Sequence, residues 1–132
     1  MEFDPLNKLG GAILDSVITV HKELGPGLLE SAYELALLQE LSLRRIKAKR
    51  QVVRELFYKG ACLEKAYIID LLVENEIIVE IKAVDTLLPI HKAQLLTHLR
   101  LSDLRLGYLI NFNVPLLKEG FKRIVNKLSE FN

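Results

Sequence analysis

Apolar residues recur along the chain with two different periods, and the change of period divides it into elements. Leu9, Ile13, Val17, Val20 and Leu24 follow helical spacing, so residues 8–24 are predicted to form an amphipathic helix. Gly25-Pro26-Gly27 ends it, because glycine suits the left-handed position after a helix and proline cannot continue one. A second helix is predicted over 28–46, apolar on most faces and therefore central. Its end is basic, with Arg44, Arg45, Lys47, Lys49 and Arg50. Then the period shortens. Val52–Tyr58, Tyr67–Val73 and Ile77–Val84 are rich in β-branched and aromatic residues and read as strands. Lys59-Gly60 closes the first, and Glu74-Asn75-Glu76 forms a polar hairpin tip between the other two. Pro89 opens a third helix to Leu101, proline being favoured in a first turn. Leu106–Phe112 reads as an apolar strand. Leu116–Phe131 reads as a last amphipathic helix, with Lys118, Lys122, Arg123 and Lys127 on its wet side.

This order predicts a mixed α/β fold in a single domain, residues 1–132. Short turns make the three-strand meander antiparallel, whereas a strand reached through a helix can lie parallel to its neighbour. A mixed sheet of four strands flanked by helices follows. No repeat, low-complexity segment or linker interrupts it.

Composition narrows the function classes only a little. A formal net charge of +1 exerts no global pull on nucleic acid or membranes, so electrostatic recognition has to rest on local clusters. A mean hydropathy of +0.21 is high for a small chain and hints at a homo-oligomer. The one cysteine, Cys62, excludes an intrachain disulfide and fits a reducing, cytoplasmic compartment. The N-terminus has no basic region followed by an apolar run, and no stretch approaches the roughly 18 apolar residues of a membrane span. No membrane association is expected.

The segment Tyr67–Val84, YIIDLLVENEIIVEIKAV, carries the chemistry. Both its strands are almost continuously apolar, as in a sheet covered on both faces. Asp70, Glu80 and Lys82 nevertheless interrupt them. A charge persists in such a place when it is paired, metal-bound or reached by solvent. With a three-residue tip, Val73 faces Ile77 and Asp70 falls opposite Glu80, with Lys82 on the same face. A two-residue tip would set Glu80 on the other face. Two adjacent carboxylates repel, and a divalent cation such as Mg2+ relieves the repulsion. The competing reading is a Glu80–Lys82 ion pair with Asp70 bonded to backbone amides.

Asp70, Glu80 and Lys82 resemble the signature of PD-(D/E)xK nucleases. The whole chain resembles the small GxxExxY branch of that superfamily, whose motif stands here as Gly27-Leu28-Leu29-Glu30-Ser31-Ala32-Tyr33. Val20-His21, Asp70-Leu71-Leu72-Val73-Glu74, Val79-Glu80-Ile81-Lys82-Ala83-Val84, Ala93-Gln94-Leu95-Leu96, Ile110-Asn111-Phe112 and Val114-Pro115 match in order. The resemblance implies a restriction-endonuclease-like core and a Mg2+- or Mn2+-dependent nuclease acting on DNA or RNA. It implies Asp70, Glu80 and the Ile81 carbonyl as metal ligands, with Lys82 at the attacking water. It also implies Glu30 as an acidic residue of the first core helix and Gln94 as a helix glutamine serving the site. Two positions depart from the pattern: Ile68-Ile69 stand where arginine often precedes the aspartate, and His98 stands where a tyrosine follows the glutamine. A catalytically degenerate module that binds nucleic acid or a protein partner is the alternative.

Several of these residues also have plainer readings. Glu30 suits the first turn of a helix through the helix dipole, and Tyr33 suits core packing with a wet hydroxyl. His21 suits a hydrogen-bonded core position. The basic run 44–50 suits either phosphate contact or a helix end. His91 and His98 share a helix face with Gln94 at a spacing too open for zinc.

Overall fold

The computed structural model describes residues 4–127. Helices α1 (Asp4–Leu24) and α2 (Glu30–Leu43) lead into strands β1 (Ala48–Tyr58), β2 (Ala61–Val73) and β3 (Ile77–Lys82). Helix α3 (Pro89–Ser102), strand β4 (Leu106–Asn111), a 3-10 turn at Leu117–Glu119 and strand β5 (Phe121–Val125) complete it. The strands lie in the order β1-β2-β3-β4-β5. All neighbours are antiparallel except β3 and β4, which are parallel because α3 carries the chain across between them.

The sheet is the middle of three layers. On one face Ile13 and Val17 of α1 and Tyr33, Leu37 and Leu41 of α2 pack on Leu71, Val79, Ile81 and Ile110. On the other, Leu95 and Leu99 of α3 pack on Ile69, Leu72, Ile78 and Leu109. Coverage on both sides is the physical reason β3 and β4 are apolar at nearly every position.

The GxxExxY segment shapes the start of α2. Gly25 and Gly27 have φ of +69° and +103°, which a side chain would disfavour. Tyr33, fully buried, stacks on Phe112 with ring centroids 4.5 Å apart. Its hydroxyl donates to the Gly25 carbonyl at 2.5 Å and accepts from the Leu28 amide at 3.0 Å. The expected packing role is present, but the hydroxyl is dry: it ties the loop to the helix. His21 is a bonded core histidine, its Nε2 donating to the Val114 carbonyl at 2.7 Å.

Two sequence expectations need correction. The basic run is not the end of a helix reaching 46: α2 stops at Leu43 with Arg44 as its C-cap, and Lys49 and Arg50 already belong to β1. Residues 116–127 form the 3-10 turn and β5, so the sheet has five strands rather than four; 128–131 lie outside the described residues. Phe121 packs with the α1–α2 layer and Ile124 with the α3 layer. At a spacing of three they imitate a helical stripe, yet a strand sends them to opposite faces. Gly120 makes the pairing possible. Its carbonyl accepts from the Asn111 amide at 2.7 Å, and a Cβ there would lie 2.1 Å from the Asn111 carbonyl oxygen.

Candidate metal-binding site

The tip between β2 and β3 has three residues. Val73 pairs with Ile77, Leu72 with Ile78 and Leu71 with Val79, while Glu74 and Asn75 take φ of +52° and +57°. The backbone pairing ends there, and the next two residues are Asp70 and Glu80.

Side chains take over where the ladder stops. The Ile81 amide donates to Asp70 Oδ2 at 2.8 Å, and the Asp70 amide makes a longer contact of 3.4 Å with Glu80 Oε2. Each carboxylate thus reaches the backbone of the other strand. Alternation also slips at this point. Leu71 packs with the α1–α2 layer and Leu72 with the α3 layer, but Ile69, which should share a face with Leu71, packs with the α3 layer. In β1, Gln51 stands between the pairs Arg50–Leu71 and Val52–Ile69 and has φ of +52°. A left-handed non-glycine residue inside a strand is uncommon and points to a local constraint.

That constraint is Glu34 of α2. It is buried, yet its Oε2 accepts from Arg50 Nε at 2.8 Å, with Nη2 of the same guanidinium 2.6 Å away as an ion pair, and its Oε1 accepts from Gln51 Nε2 at 2.7 Å. Two consecutive residues of β1 therefore turn to one carboxylate, which the left-handed Gln51 permits. Arg50→Ala should leave Glu34 buried with only Gln51 for a partner. A loss of about 2–4 kcal/mol is expected in urea unfolding, somewhat less than for a fully buried pair because Arg50 is partly exposed.

The electrostatics follow from this crowding. Burial, then the charge of Glu80, then that of Glu34 push the Asp70 carboxyl up to about 6, against the Ile81 hydrogen bond and the Lys82 ammonium. Glu80 is buried, and the imidazole of His98 on α3 faces it, with Nδ1 at 3.6 Å from Oε2. Below the pair, the Asn111 side chain bonds both the amide (3.0 Å) and the carbonyl (2.8 Å) of Val84, fixing the chain as it leaves Lys82.

A family model of the PD-(D/E)XK nuclease superfamily matches residues 7–124. The chain belongs to that superfamily. No curated protein and no solved structure matches it. PD-(D/E)XK nucleases generally use divalent metal ions, so the donor set can be tested for fit. Among the described residues no three His, Cys, Asp or Glu side chains gather as a metal-binding group. Two adjacent carboxylates still suit a hard cation of the Mg2+ kind, which takes few protein oxygens and keeps its waters. The Asp70 carboxyl is raised by burial first and by the charges of Glu80 and Glu34 after it, and a cation beside the pair would offset those charges.

The sequence-derived residues divide accordingly. Asp70, Glu80, Ile81 and Lys82 come together. Glu30 does not join them: it is exposed at the first residue of α2, and the helix charge felt by Asp70 is that of Glu34. Gln94 is exposed as well, and the polar group that α3 brings to Glu80 is His98, one turn further on. In both helices the residue four places later lies deeper over the sheet. The remaining histidine of the chain, His91, is a local cap, accepting from the Leu88 amide through Nδ1 at 3.0 Å. One half of the competing reading is present, since Asp70 does bond a backbone amide; Glu80, however, turns to His98.

Proposed function

We propose that this chain, read as one domain, hydrolyses phosphodiester bonds of nucleic acid with a Mg2+ or Mn2+ ion held by Asp70, Glu80 and the Ile81 carbonyl. The observation that carries the reading is the paired carboxylates at the point where the β2–β3 ladder ends, with Lys82 close enough to act on Asp70. The chemistry a divalent cation supplies there is a more acidic water and neutralised charge at phosphorus.

The side chains provide the rest. Lys82 holds and orients the attacking water and offsets negative charge as the phosphorus centre becomes crowded. The Ile81 amide fixes one oxygen of Asp70 and so its direction. Glu34 replaces Glu30 as the acidic residue of the helix, and its own charge is held by Arg50 and Gln51 of β1. Gln94, exposed on α3, faces a passing substrate rather than the cation. No helix among the described residues is long and apolar enough to cross a membrane. The exposed thiol of Cys62 fits a reducing, cytoplasmic setting.

Calorimetric titration with Mn2+, followed by cleavage assays on labelled DNA and RNA, tests the proposal. A saturable site that disappears in Asp70→Asn, together with metal-dependent cleavage, is the expected result. Salt-dependent nucleic-acid affinity without cleavage would select the degenerate binding module instead. Assembly into oligomers with neither property would leave only a structural subunit.

A further inference from the structure

On the α3 face of the sheet, a row of side chains leads to Glu80. His98 is only 6% exposed, and its Nδ1 is buried with no hydrogen-bond partner. The ring is held by stacking instead: it lies against Tyr67 with centroids 4.9 Å apart and planes 29° from parallel. Tyr67 in turn shares a hydrogen bond of 3.0 Å with Ser102 Oγ at the end of α3. The row thus begins and ends on one helix, and it sets the imidazole with Nδ1 toward Glu80.

The contact stops just short. A separation of 3.6 Å between Nδ1 and Glu80 Oε2 exceeds a made hydrogen bond. The same oxygen makes only a 3.4 Å contact with the Asp70 amide. Donor and acceptor are therefore both under-used, buried and facing one another. Hydrogen bonds around a reactive site are often long before it is loaded and shorten afterwards.

We propose that His98 is a positioning residue for Glu80: its Nδ1–H closes on Oε2 and leaves Oε1 to the cation. The inference rests on the reading of Asp70 and Glu80 as cation ligands. It gives the buried His98 a defined task. Groups that fix a ligating side chain from behind commonly matter to metal affinity almost as much as the ligands do.

His98→Phe tests this, because it keeps a flat ring against Tyr67 and removes both nitrogens. Without metal the variant should melt at or slightly above the parent's temperature, since a buried, unbonded nitrogen has gone. Its Mn2+ affinity, measured by calorimetry, should fall by about 10–100-fold. A second readout needs no substitution: long-range proton–nitrogen spectra of the parent with Mg2+ should show His98 protonated at Nδ1. Equal Mn2+ affinity in parent and variant overturns the proposal, as does a His98 protonated at Nε2 alone with Mg2+ bound. If the variant fails to fold, the spectrum of the parent decides. A parent that binds neither Mn2+ nor Mg2+ overturns the cation-ligand reading and this inference with it, which separates that failure from the first two.

Discussion

Asp70→Asn should yield a protein that is more stable than the parent without metal at neutral pH, and that no longer gains stability from Mn2+. The Asp70 carboxyl stands at about 6 in the fold against 3.8 for the ordinary group, chiefly through burial and then through Glu80 and Glu34. The native state therefore keeps a proton that the unfolded chain has already lost. The stability tied to that proton is complete below about 3.8 and is lost as pH rises through about 6. The interval corresponds to at most about 3 kcal/mol. Solvent reaches part of the carboxylate and screens it, which brings the expected effect to about 1–2 kcal/mol. Asparagine retains an oxygen for the Ile81 amide and does not ionise, so the variant should escape this loss. Melting curves of parent and variant at pH 4.5 and pH 7.5 measure it directly. Cation binding acts in the opposite direction, because it compensates the repelling pair. At a hundredfold excess over the dissociation constant a bound ligand adds about 2.7 kcal/mol, so the parent should melt several degrees higher in Mn2+. An equal Mn2+ shift in Asp70→Asn would put the ion somewhere else on the molecule.

How much of this could be read from the sequence depended on whether a local rule decided the outcome. The meander was legible because the number of residues in its tip decides which residues oppose each other; three residues bring Asp70 opposite Glu80, and the structure has three. The apolar runs of β3 and β4 likewise announced a covered sheet. The slip at Asp70 was not legible, because Gln51 adopts its left-handed conformation for the sake of Glu34, and no glycine marks the place. Glu34 did leave a signal: it lies between Tyr33 and Leu37, both on the buried side of α2, so a charge there demanded a partner. The motif drew attention to Glu30 instead, which is exposed, while the carboxylate whose charge reaches Asp70 is Glu34, one turn further on. His98 is a parallel case, set between the buried Leu95 and Leu99 of α3. The final strand was misread because Phe121 and Ile124 satisfy either period. Only the close approach of Gly120 to Asn111, a contact distant from the periodic pattern, settles it.

Lys82→Ala should abolish phosphodiester cleavage while sparing Mn2+ binding. The substitution is mild for the fold. Lys82 lies on β3 paired with Asn111, its carbonyl accepts from the Phe112 amide at 3.0 Å, and the half-buried side chain is no member of either core cluster. Asp70, Glu80 and the Ile81 carbonyl all remain. What goes is the ammonium that acts on Asp70 from the same strand as Glu80, the group that the proposed mechanism uses to orient a water and to meet charge on phosphorus. Loss of a positioned acid–base group of this kind costs on the order of 10²–10⁴-fold in rate. A smaller effect accompanies it: Lys82 holds the Asp70 carboxyl down, so its removal should raise that group further and shift Mn2+ binding toward higher pH. The measurement is cleavage of labelled single- and double-stranded DNA and RNA by parent, Lys82→Ala and Asp70→Asn, beside Mn2+ titrations of each. Cleavage lost in both variants, with Mn2+ affinity kept only in Lys82→Ala, assigns the lysine to the water and the aspartate to the ion. Cleavage that survives in both belongs to another site, and the mechanism fails. A parent that binds Mn2+ yet cleaves none of the four substrates is the degenerate module, in which the carboxylate pair has outlived the chemistry.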